Sequence, residues 1–141
     1  MKRLVKLFPM AAVLLLAGCA GSISIVNVGL PTEKERPRLI AAVDRFAGQE
    51  GLRALPDKPF DVTGSFEREY HTATGKGQGI SIFWDERNKT LVDIVFPDDG
   101  SLEPLAVRIS DYAAGKYGKG NVSVVRRHPA IDWLLDDWGI Y

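Results

Sequence analysis

The chain has 141 residues, with 18 Lys and Arg against 18 Asp and Glu, one cysteine and two histidines. Balanced charge argues against a general nucleic-acid binder, and a single cysteine excludes a disulfide framework or a site built from several thiolates. No repeat, low-complexity block or second compositional regime divides the chain, so its length fits one domain with one core.

The first nineteen residues have three parts. Lys2, Arg3 and Lys6 form a cationic start, residues 7–17 an apolar run interrupted only by Pro9, and small Ala17 and Gly18 precede Cys19. This is the layout of a secretory signal peptide. The apolar run, about 11 residues, falls well short of the roughly 20 a spanning helix needs. Leu16, Ala17, Gly18 and Cys19 together resemble the lipobox of bacterial lipoproteins. The resemblance implies a diacylglyceryl group on the Cys19 thiol, cleavage just before it, and acylation of the new N-terminus, typically by palmitate. A thiol suits that chemistry because its thiolate is the strongest side-chain nucleophile near neutral pH. One acyl chain binds a bilayer only marginally, whereas two or three anchor it stably. Ala20 follows the cysteine instead of the Asp that signals inner-membrane retention in enteric bacteria, so the expected address is the outer membrane, facing the periplasm. Loss of residues 1–18 removes three basic residues and no acids, leaving a slightly acidic mature chain.

Residues 22–30, SISIVNVGL, are rich in β-branched side chains and read as either a short first strand or a tether. A helix is predicted next, entering at Thr32 with Glu35 at capping-box spacing or at Arg36 and Pro37. Leu39, Ala42, Val43 and Phe46 make its apolar stripe, and Gly48 or Gly51 ends it. LPDKP breaks the chain. Three strands follow: one with Phe66 and Tyr70 opposite Glu67, Glu69 and His71, one with Ile80, Ile82 and Trp84 on one face, and one with Val92, Ile94 and Phe96 opposite Asp93. The polar run DERNK joins the last two as a hairpin. A second helix carries Leu102, Leu105, Ile109 and Tyr112, with Ser101 or Asp99 as cap, Glu103 at its positive end, Pro104 in its first turn, and Gly118 and Gly120 after it. NVSVVRRH reads as a last strand.

The expectation is an α+β fold of order α-β-β-β-α-β: one small domain, an antiparallel sheet of about four strands with both helices on one face, and a short C-terminal helical tail. Its parts are a signal peptide over 1–18, a lipidated N-terminus with tether or strand over 19–30, and the α+β domain over 31–141. In the tail, Ile131, Leu134, Leu135 and Trp138 recur at helical intervals among Asp132, Asp136 and Asp137. The tail either folds back over the core or an open sheet face, or offers Trp133, Trp138 and Tyr141 to a partner.

Signals for catalysis are sparse. TGKGQG, residues 74–79, has its lysine too early for a phosphate-binding loop and is followed by a strand pattern, so it reads as a hairpin loop. Glu67, Glu69 and His71 share a strand face and could ligate a divalent metal or act as an acid–base group, though alternating polar residues also mark any half-solvated strand. His128, beside Arg126, Arg127 and Pro129, reads as a strand end. No G-x-S-x-G, H-E-x-x-H or calcium-loop pattern occurs. The reading reached is a lipid-anchored, non-enzymatic binding or assembly module of the cell envelope. It carries Cys19 as its acyl acceptor, with no cofactor, metal or nucleic acid and with an envelope protein as its partner. The alternatives are a small envelope hydrolase or metal-dependent enzyme using Glu67, Glu69 and His71, and an inhibitor or immunity-type protein.

Overall fold

The computed structural model describes residues 21–59, 64–73 and 79–127. Its first element is β1 (Ser22–Gly29), which pairs with a neighbour on each side. A single 3-10 turn (Glu33–Glu35) leads into α1 (Arg36–Gln49). Thr32 makes no capping bond, and the helix starts at Arg36 with Pro37 in its first turn, where a missing N–H costs nothing. Gly51, at φ +75°, turns the chain out of the helix.

β2 (Leu52–Ala54) and β3 (Lys58–Pro59) come next, then β4 (Ser65–Thr72), β5 (Ile80–Asp85) and β6 (Asn88–Val95). The β5–β6 hairpin turns tightly at Glu86 and Arg87. α2 (Glu103–Tyr117) then leads through a 3-10 turn (Lys119–Asn121) to β7 (Val122–Arg127). All pairings are antiparallel, in the order β2-β4-β5-β6-β1-β7, with β3 beside β2 on the outer side of β4.

The α+β class stands, but the expected four strands are seven among the described residues. Residues 22–29 are a strand inside the sheet, so the folded unit includes them and does not begin at residue 31. The other additions flank the predicted chain break. β2 and β3 are two short pieces of one edge, separated around Pro56. Proline is tolerated there because an edge strand has one unpaired side.

One face of the sheet and both helices close a single core. Val26 and Val28 of β1, Ile80 and Ile82 of β5, and Val92 and Ile94 of β6 meet Leu39 and Val43 of α1 and Leu105 and Ile109 of α2. Each such side chain contributes roughly 1.5–3 kcal/mol by leaving water. The alternation in β1 is broken by a bulge between Ile23 and Ile25, which lets both Ile23 and Ser24 be buried. Ser24 stays satisfied by donating its hydroxyl to the Val125 carbonyl at 3.1 Å. The bulge end is pinned from α2: Glu103 accepts the Ile23 N–H at 2.7 Å and Arg126 Nη1 at 2.7 Å. The predicted helix-end acid thus also ties β1 and the edge strand β7 to the helix.

Candidate functional site

β4 carries charge on both faces. Its outer face holds the predicted trio, Glu67, Glu69 and His71, side by side as alternation requires. Lys58, on the adjoining edge piece β3, inserts its ammonium between the two carboxylates, 2.8 Å from Glu69 Oε1 and 3.5 Å from Glu67 Oε2. His71 Nε2 lies 3.2 Å from Glu69 Oε2. The Lys58 hydrogen bond, followed by that of His71, holds the Glu69 carboxyl below its usual range. That shift opposes a general-acid role, which needs a carboxyl raised toward neutral pH. The lysine also occupies the place a divalent ion would take, and no group of three or more metal-ligating side chains occurs among the described residues.

The inner face of β4 holds an arrangement the alternation pattern did not reveal. Arg68, between Phe66 and Tyr70, faces α1 and forks onto Asp44, with Nε 3.1 Å from Oδ1 and Nη2 3.0 Å from Oδ2. Its remaining Nη1 donates to Asp57 at 2.7 Å, on the link between β2 and β3. The buried Tyr70 hydroxyl donates to the same Asp44 Oδ1 at 2.5 Å. Burial, together with the Asp44 charge, pushes the Tyr70 hydroxyl well above its ordinary range and keeps it a donor. The side chains of this group bond to one another across α1, β4 and the β2–β3 link, so it clamps helix to sheet. The available signal was an arginine at an inward position, matched by an aspartate flanking the α1 stripe.

The outer face of the sheet differs from one side to the other. On β4 it is fully polar. Across β5, β6, β1 and β7 it presents Phe83, Leu91, Val95, Ile25 and Val125, with Leu91 42% and Val125 38% exposed. Neither helix covers this face, and its surface is dented. One shallow depression of about 460 Å³ is lined by Phe83, Asn88, Leu91 and Asp93, and another of about 630 Å³ by Ile25, Val95, Pro97 and Arg127. Asp93 stands mid-face, opposite Asn27 on one side and Phe83 on the other. Partial burial alone raises its pKa above the usual carboxylate range.

The two sheet edges also differ. The β2–β3 edge is short, broken and carries Lys58 and Pro59, features that discourage further pairing. The β7 edge is six residues long, pairs only with β1 among the described residues, and exposes Val124 and Val125 at 38% each. Its last residue, Arg127, sits opposite Ser22 at the start of β1. Cys19, Trp133, Trp138, Tyr141 and His128 lie outside the described residues, as do residues 74–78 of the glycine-rich loop. The segment after that loop is β5, a strand, and not the helix that a phosphate-binding loop requires. No described helix is long and apolar enough to cross a membrane.

No family model, curated protein or solved structure matches this chain.

Proposed function

We propose that this chain is a lipid-anchored, non-enzymatic binding module of the bacterial cell envelope. It is held through Cys19 on the outer membrane, faces the periplasm, and takes a partner segment by strand addition along β7. The observation that carries the reading is the pairing of Ser22 with Arg127. Strand β1 begins three residues after Cys19, a span of roughly 10 Å at full extension, so an anchor at that cysteine keeps the open β7 edge close to the lipid. An unpaired antiparallel edge with β-branched side chains is a ready template for an extended peptide. On β4, Glu67 and Glu69 are paired with Lys58, and Arg68 with Asp44 and Asp57, which supports reading these charges as parts of the fold.

The test has two arms. Mass spectrometry of the native N-terminus is expected to find an acylated Cys19 and no leader, with Cys19→Ala released from the membrane fraction; an intact leader or an unmodified N-terminus overturns the address. A photo-cross-linker at Val124 is expected to trap one stoichiometric envelope protein, and Val125→Lys to abolish that adduct while leaving the fold intact. An adduct indifferent to Val125→Lys overturns the edge as the docking site.

A further inference from the structure

The β7 edge has a definite hydrogen-bonding register. The Leu30 N–H donates to the Thr90 carbonyl and the Phe96 N–H to the Ser24 carbonyl, so even-numbered residues of β1 bond to β6. The odd-numbered ones turn the other way, and Asn27 and Ile25 meet Ser123 and Val125. Val122, Val124 and Arg126 therefore aim their backbone N–H and C=O groups off the sheet, with Val124 at the centre. Their side chains lie on the helix side, as the pairing of Val124 with buried Val26 requires. Helix α2 packs over β1 and β7. One flank of it is tied to α1, with Tyr112 against Phe46 and Arg108 on Gln49. The opposite flank carries Glu103, Val107, Ser110 and Ala114 and looks out over the β7 edge. Three of the five exposed large apolar side chains among the described residues, Val107, Val124 and Val125, line this one edge.

We propose that the strand added to β7 is β7 of a second copy of this chain, running antiparallel and joining two sheets into one. The inference rests on the strand-addition reading above and names its partner. Self-pairing centred on Val124 satisfies the register. Val124 faces Val124 and Val122 faces Arg126 on either side of it, with two hydrogen bonds at each of these pairs. On the outer face Ser123 faces Val125. Such a seam is isologous, so it closes at two chains instead of growing into a fibre. Charge agrees. Arg126 is held by Glu103 of its own chain at 2.7 Å and enters the seam already paired. Arg127 falls opposite Asn121 of the second copy, whose amide oxygen is an acceptor for a guanidinium. The arginines of the two copies sit at opposite ends of the seam. The helices complete it. With neighbouring strands about 4.8 Å apart, the two α2 flanks face each other across the two-fold axis, Ser110 near the centre and Val107 toward Ala114. An isolated peptide strand would fill the ladder and leave Val107 exposed, whereas a second copy covers it.

Single cysteines in the full mature chain carrying Cys19→Ser test the register. Under mild oxidation, Val124→Cys is expected to form an intermolecular disulfide, as is an equal mixture of Ser123→Cys and Val125→Cys chains. Ser123→Cys or Val125→Cys alone is expected to react at least about 10-fold more slowly, because like positions two residues out of register lie beyond the roughly 7 Å a disulfide spans. Equal rates at every position, or no bond at any, overturn the symmetric seam. Sedimentation velocity supplies a measurement free of cysteines. The Cys19→Ser chain is expected to sediment as a dimer, and Ser110→Arg, which leaves β7 unchanged, to shift it toward monomer. A monomer at all concentrations, or a dimer indifferent to Ser110→Arg, overturns the proposal. In envelopes, the photo-cross-linker at Val124 is expected to join two copies of this chain. An adduct with a different protein overturns self-pairing and leaves strand addition standing, and the absence of any adduct overturns both.

Discussion

Arg68 shows what a single charge does on the wrong face of a strand. Its fork to Asp44 and its bond to Asp57 hold α1, β4 and the β2–β3 link together. The Arg68 side chain is only 21% exposed, and removing it takes two guanidinium donors from Asp44 and one from Asp57, leaving the Tyr70 hydroxyl bonded to Asp44. Arg68→Leu is expected to lower unfolding free energy by about 2 kcal/mol, read from urea denaturation. Gly79 is constrained differently: a Cβ there would lie 1.7 Å from the Tyr70 carbonyl oxygen, which is backbone and cannot swing aside. Gly79→Ala is expected to cost about 3 kcal/mol or more. Asp93 gives a pH signature. Its folded pKa is raised by burial, so the native state holds the proton more tightly than the unfolded chain does. Its stabilising contribution is present below the ordinary aspartate range and is lost as pH rises through the folded value. Asp93→Asn is therefore expected to be more stable than the native chain at neutral pH, with the gain shrinking as pH falls toward the ordinary aspartate range.

At the scale of elements, the parts announced by periodicity were those whose packing is one-sided. Helix α1 with Leu39 and Val43, strand β5 with Ile80, Ile82 and Trp84, and strand β6 with Val92 and Ile94 all bury the predicted residues. β1 was ambiguous because β-branched residues on both of its faces blur the two-residue alternation of a half-buried strand, while its position just after Cys19 equally suits a tether. β2 and β3 were hidden by Pro56 and Pro59 and by their shortness, since three and two residues are too few to display a period. The Glu67, Glu69 and His71 face was readable from alternation, yet its meaning was not. Lys58 reaches it from an edge piece that only tertiary pairing creates. The same contrast orders local stability. Amides of β1 and β6, each paired on two sides, are expected to be the slowest to exchange with solvent, and those of β2 and β3 the fastest among the strands, as measured by native-state hydrogen exchange.

For the whole molecule, the chain enters at β1 and leaves the described fold at β7, and these two strands are antiparallel neighbours. Entry and exit therefore meet at one pole. β1 is also bonded along both sides, to β6 and to β7. A pull at residue 22 along the axis of β1 loads both ladders in shear, so many hydrogen bonds share the force and must fail together. A pull on the end of β7, across the sheet, peels a single ladder open one bond at a time. Single-molecule stretching is expected to find a markedly higher rupture force with the handle at residue 22 than with it at residue 127 and the pull directed across the sheet. On the proposed lipid anchoring at Cys19, tension from the membrane enters the fold through β1, the strand bonded along both of its sides.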